Sequence, residues 1–153
     1  CFGCAPKNPI GLRLEFEKRG NGYITRMKIG VNYESFPGVV HGGIVASILD
    51  EILAQAVYRS GQISAFTAGL RIRYGRPMEI DTEYCAYAEV TKQNGSSVRA
   101  SGRIELPGGD LVAVADGTFY LLTDDILSKS DGRLSAELTQ VLMAANGSVT
   151  QRG

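Results

Sequence analysis

The chain has 153 residues, 44% of them hydrophobic and 21% charged, which is enough for one domain with a core of its own. Lys plus Arg equals Asp plus Glu at 16 each, so no general basic excess draws the chain to nucleic acid or an anionic membrane, and any anion site must be local. No apolar run approaches the roughly 20 residues that cross a bilayer, and the opening residues lack a secretory signal pattern, so a cytoplasmic protein is expected.

At the start, Cys1-Phe-Gly-Cys4 has the spacing of half a zinc site, but the other soft ligands in the chain are Cys85 and the lone His41. A structural zinc site needs a full tetrahedral set, so neither a metal nor a cofactor is expected. Three cysteines are an odd number and too few for a disulfide framework, and they read as reduced thiols. From Gly11 to Arg19 the apolar Leu12, Leu14 and Phe16 alternate with Arg13, Glu15 and Glu17, the period of a half-buried strand. Gly20-Asn-Gly22 then suits a tight hairpin turn, with Tyr23 to Ile29 returning as the second strand.

After a loop from Val31 to Val40, a helix is expected from His41 or Gly42 to about Arg59. Ile44, Val45, Ile48, Leu49, Ile52, Leu53, Ala56 and Val57 cover nearly its whole circumference, so it should be buried on most sides. Four further strands are expected at Phe66–Tyr74, Glu83–Lys92, Ser97–Leu106 and Leu111–Leu122. Asn94-Gly-Ser96 and Asn146-Gly-Ser148 match the glycosylation sequon, but read as turns. The order β-β-α-β-β-β-β with short turns implies an α+β domain, residues 1–123, in which one antiparallel sheet curls around one apolar helix. Residues 124–153 form a polar tail with at most a short helix at 135–145.

The densest signal is Phe36-Pro-Gly-Val-Val-His41-Gly42-Gly43, directly before the helix, with Asp50 and Glu51 inside it. First-turn N–H groups at a helix start have no partner and favour negative charge on a bound oxygen. A carboxylate two turns deeper in an apolar helix needs partners or a task. Gly43, Ser47, Asp50 and Ala54 share one stripe, leaving a slot beside the acid. A tight helix entry and an internal capping or salt-bridge acid would account for the same residues.

These residues carry a resemblance. Cys1-Phe-Gly-Cys-Ala-Pro-Lys-Asn-Pro-Ile-Gly-Leu-Arg-Leu14, Phe36 to Glu51, Thr67 to Pro77 and Ala115-Asp-Gly-Thr-Phe119 together resemble the hotdog acyl-CoA thioesterases of the phenylacetate-pathway and human thioesterase-superfamily-member type, over about residues 1–122. The resemblance implies a hotdog fold and hydrolysis of an acyl- or aryl-acyl-CoA. It makes Asp50 the catalytic carboxylate, as base or nucleophile. Gly42, or second to it Gly43, would supply the N–H that polarises the thioester carbonyl, and Thr67 would orient the attacking water or the carboxylate. His41 takes a structural or carbonyl-orienting role, and Glu51, about 100° around the helix from Asp50, faces a different environment. Ser35 stands where several relatives carry Asn or Gln holding the carbonyl or water.

Coenzyme A needs local cations for its phosphates. Period-two alternation puts Thr67, Gly69, Arg71 and Arg73 on one face of their strand and Ala68, Leu70, Ile72 and Tyr74 on the other, against the helix. Arg71, Arg73 and Arg76 are therefore the candidate phosphate ligands, with Arg73 about 20 Å from Thr67 along the strand. The helix and the free sheet edges need covering, and the resemblance implies a homodimer or homotetramer with the site between subunits, so that Asp50 and Thr67 can come from different chains. The alternatives are a non-catalytic acyl-CoA binding module on the same scaffold, and a hydratase, which the single histidine disfavours.

Overall fold

The computed structural model describes residues 1–61, 64–129 and 136–147. Six strands and one long helix follow in the expected order: β1 (Glu17–Arg19), β2 (Gly22–Lys28), α1 (Gly42–Gly61), β3 (Ala65–Tyr74), β4 (Glu83–Asn94), β5 (Ser97–Glu105) and β6 (Leu111–Leu121). A 3₁₀ turn at Val31–Tyr33 precedes α1, and two helices, α2 (Asp124–Ser128) and α3 (Ala136–Gly147), close the described chain. Ser148 of the second sequon and the rest of the tail lie outside the described residues, as does Ser135, where the tail helix was expected to begin.

All strand pairs are antiparallel, in the order β1-β2-β4-β5-β6-β3. The helix lies between β2 and β3 in sequence and carries the chain from one side of the sheet to the other, so β3 ends at the far edge beside β6. Asn94 pairs with Ser97 around Gly95, whose φ is 56°, so the first sequon is a hairpin turn as expected.

The core is the apolar side of α1 (Val45, Ile48, Leu49, Ile52, Leu53, Ala56 and Val57) against inward residues of the sheet, among them Ala86, Ala88, Ala100, Ile104, Ala115 and Phe119. Small sheet residues let the helix come close. A Cβ on Gly102 or Gly117 would lie 3.3 Å from a Leu53 methyl, so Leu53 seats over two glycines on neighbouring strands. Deleting a leucine side chain from such a site costs roughly 2–5 kcal/mol.

Three expectations are corrected. First, the alternation from Gly11 to Phe16 does direct Leu12, Leu14 and Phe16 into or against the core, but only Glu17–Arg19 pairs as strand. Arg13 has φ 53°, and the N–H groups of Leu12 and Leu14 bond to Phe2 O and Gly3 O, so this segment pairs with the N-terminal loop. Second, α1 is fully buried along one side only; Ile44, Ala46, Ser47, Asp50, Glu51, Ala54, Gln55 and Tyr58 are half-buried, because the single sheet of this chain covers one side of the helix. Third, β3 contains a bulge between Thr67 and Gly69. The extra residue shifts the alternation by one, so Thr67, opposite the buried Phe119, faces the helix together with Ile72 and Tyr74, while Arg71 and Arg73 point to the outer face.

Candidate active site

The chain enters α1 through a loop fixed by its own backbone. Ser35 N–H donates to Val39 O at 2.8 Å, Val40 N–H to Met78 O at 2.8 Å and His41 N–H to Tyr33 O at 2.8 Å. His41 then caps the helix: its Nδ1 accepts the Gly43 N–H at 2.9 Å, a side-chain cap of the kind that short polar residues normally provide. Of the structural and carbonyl-orienting roles expected for His41, this contact is of the structural kind. It also takes up the Gly43 N–H, so the free donor at the helix start is that of Gly42, which has no partner among the described residues. Nothing lies within 4 Å of the point where a Gly42 side chain would begin, and a ligand can approach that N–H.

Two turns along the helix, half-buried Asp50 accepts a hydrogen bond from Thr67 Oγ1 at 2.8 Å. The acid comes from the middle of α1 and the hydroxyl from the start of β3. The bulge is what turns that hydroxyl toward the helix. The two residues therefore meet within one chain, which corrects the expectation that they can come from different chains. Ser47, between them and the glycines, donates to Gly43 O at 2.9 Å and presents no side chain large enough to fill the slot beside Asp50.

Tyr74 is a residue whose part in the site sequence reasoning missed. Its hydroxyl donates to Gly42 O at 3.1 Å, tying the far end of β3 to the first turn of the helix. Alternation had already placed Tyr74 on the helix face, and that was the available signal. Ser35 directs its hydroxyl toward Val39 O in its own loop, at 3.4 Å. Of the three arginines, Arg76 makes a loose, exposed pair with Asp110 at 3.9 Å, worth little in water. Arg71 lines an outer groove of about 510 Å³ with Arg99, Ser101, Asp116 and Thr118. Neither Arg71 nor Arg73 shares a face with Thr67, so a single straight strand does not address both thioester and phosphates.

The fold agrees with the comparisons to known proteins. The family model of the thioesterase superfamily matches residues 37–113, half of the chain, and the chain belongs to that superfamily, with its hotdog fold. Among solved structures, a thioesterase superfamily protein superposes with a TM-score of 0.71 at 24% identity, covering 76% of this chain and 61% of that one, so this chain spans about three fifths of its length. A Bacillus halodurans protein crystallised with CoA gives 0.59 at 32% identity, covering 65% and 66%. The E. coli PaaI protein of the phenylacetic acid degradation operon gives 0.67 at 19% identity, covering 73% and 81%. No curated protein sequence matches. Among the described residues no helix is long and apolar enough to cross a membrane.

Proposed function

We propose that the chain is an acyl-CoA thioesterase that hydrolyses an acyl- or aryl-acyl-CoA to the free acid and CoA. The observation that carries this reading is the Thr67 to Asp50 hydrogen bond at 2.8 Å, which holds a half-buried carboxylate in one orientation on the stripe that leads to the open N–H of Gly42. Membership of the thioesterase superfamily and the solved relative with CoA support the substrate class.

In this mechanism Asp50 acts on the thioester carbonyl, either by taking a proton from the attacking water or by adding to the carbon itself. The carbonyl oxygen gains negative charge as the carbon becomes tetrahedral, and the Gly42 N–H with the positive helix end stabilises it. The C–S bond then breaks, the CoA sulfur leaves with the bonding pair and takes up a proton. By the first route the acid leaves directly; by the second, water opens an anhydride.

Gly42 and Asp50 are eight positions apart on one helix, a rise of about 12 Å, whereas a donor and an attacking group must each lie about 3 Å from the reacting atoms. One thioester cannot meet both within a single chain. Two α1 helices running in opposite directions would bring Gly42 of the partner subunit to Asp50, with Thr67 on the same chain as the acid. The half-buried side of α1 and the outer edge of β3, with Phe66, Leu70 and Tyr74 exposed, are the surfaces such a homodimer would cover, and a homotetramer would pair such dimers. Arg76, two residues beyond the Tyr74 that is bonded to Gly42 O, is the first candidate cation for CoA phosphates; Arg71 and Arg73 are candidates from the outer face.

The test is hydrolysis of a panel of acyl- and aryl-acyl-CoA thioesters by wild type and Asp50→Ala, read as free thiol released. Wild type should turn over at least one class, with the variant slower by about 10³-fold or more. Saturable CoA-ester binding without turnover would instead make the chain a binding module.

A further inference from the structure

Cys1-Phe-Gly-Cys4 has the spacing of half a metal site, and the other soft side chains that composition suggests are placed elsewhere, since His41 is occupied in capping α1 and Cys85 lies on β4. The helix supplies the missing donor. Glu51, next to Asp50 but on another side of α1, reaches the N-terminal loop, where its Oε2 is 3.4 Å from Cys1 Sγ. The ligand atoms of Cys1, Cys4 and Glu51 all lie within 4.8 Å of one another.

Several contacts build this arrangement. Leu12 N–H donates to Phe2 O at 2.8 Å and Leu14 N–H to Gly3 O at 2.9 Å, which pins the loop on the body of the domain. The Cys4 N–H donates to Cys1 Sγ at 3.4 Å, so the turn folds both sulfurs to one side. Gly3 between them is buried, and a Cβ there would collide with Glu51 Oε2; only glycine lets the carboxylate sit this close. Gln55, one helical turn further, donates from Nε2 to Glu51 Oε1 at 3.1 Å and lies 3.8 Å from Cys4 Sγ, fixing the carboxylate against the thiols.

We propose that Cys1, Cys4 and Glu51 bind one divalent cation of the zinc class, which clamps the N-terminal loop to α1 beside the thioester site. Two sulfurs and a carboxylate suit zinc and disfavour magnesium or calcium, which take oxygen ligands. Around a tetrahedral zinc ion a thiolate sulfur and a carboxylate oxygen stand about 3.6 Å apart, near the 3.4 Å already present between Cys1 and Glu51. Binding releases the two thiol protons to solvent, and a water completes the set. Arg59 stands behind the cluster, its Nε bonded to Gln55 Oε1 at 3.0 Å and its guanidinium over the rings of Phe16 and Tyr23, and offsets the charge of a site with three anionic ligands.

The test is titration of the reduced, chelator-treated full chain with Co²⁺ and then Zn²⁺, followed by thiolate-to-cobalt charge-transfer absorption and by thermal unfolding. Wild type should bind one equivalent, with the absorption displaced by Zn²⁺ and the melting temperature raised by roughly 5–10 °C at saturating ion. Glu51→Gln should weaken binding about tenfold or more, Cys4→Ser should abolish the absorption, and Cys85→Ser should retain it. Should Cys4→Ser fail to fold, protection of Cys1 and Cys4 from alkylation by Zn²⁺ in wild type, mapped by mass spectrometry, decides the matter without a variant. No absorption and no protection in wild type, or equal binding by Glu51→Gln, would overturn the proposal. These readouts do not involve thioester turnover, so their outcome is separate from that of the proposed activity.

Discussion

Thr67 Oγ1 lies 2.8 Å from Asp50 Oδ1 because one extra residue in β3 turns the threonine toward the helix instead of leaving it on the outer face with Arg71. At this exposed position the bond contributes little to stability, since water replaces it when it is lost. Its larger consequence is orientation. One carboxylate oxygen is held by Thr67, which leaves the other for the action on substrate proposed above.

Replacing Thr67 by Val removes the hydroxyl at nearly constant volume. The expected result is a fall in kcat of about 10- to 100-fold with little change in KM. Thr67→Ser should recover most of the rate. Because Thr67 is exposed, the melting temperature should stay nearly unchanged, and steady-state kinetics beside a melting curve check both halves.

Gly42 provides a test in which the side chain is irrelevant and the N–H is everything. Gly42→Ala adds a methyl group where nothing lies within 4 Å and keeps the donor, so activity should remain close to wild type unless the partner subunit crowds that point. Gly42→Pro removes the donor at the first helical position, where proline is well tolerated, and should cost about 10²–10³ in kcat. Circular dichroism on the proline variant confirms that α1 is retained.

His41 is assigned to the helix entry and not to proton transfer. His41→Ala should therefore destabilise the fold by about 1 kcal/mol in urea unfolding, the usual cost of losing a cap. His41→Asn should restore most of that stability. A general-base histidine would behave otherwise, since asparagine would restore stability without restoring rate.

Much of the fold is legible in the sequence because its signals are local. The expected strands at Glu83, Ser97 and Leu111 begin where β4, β5 and β6 begin, since alternation and turn glycines are read over a few residues. Gly42 and Asp50 stand out for the same reason, being a helix start and a misplaced charge within one segment. Ala68 gives no sign that it is the extra residue of a bulge, because it is one more small residue in an apolar run; the register against β6 decides that, and with it the face of Thr67. The 3.4 Å approach of Cys1 to Glu51 joins residues 50 positions apart, a closeness that only the packing of the N-terminal loop on α1 creates. The short β1 is likewise set by pairing of Leu12 and Leu14 with the N-terminal loop, which competes with the strand that alternation suggests.

In the proposed dimer, Gly42 of one subunit and the Asp50–Thr67 pair of the other complete a single thioester site. A mixed dimer of Asp50→Ala and Gly42→Pro chains, isolated through two different affinity tags, tests it most directly. Such a dimer has one site with both defects and one with none, so it should hydrolyse acyl-CoA at about half the wild-type rate although each variant alone is nearly inactive. A mixed dimer as inactive as its parents would contradict the account, as would Asp50→Ala dimers that retain the wild-type rate.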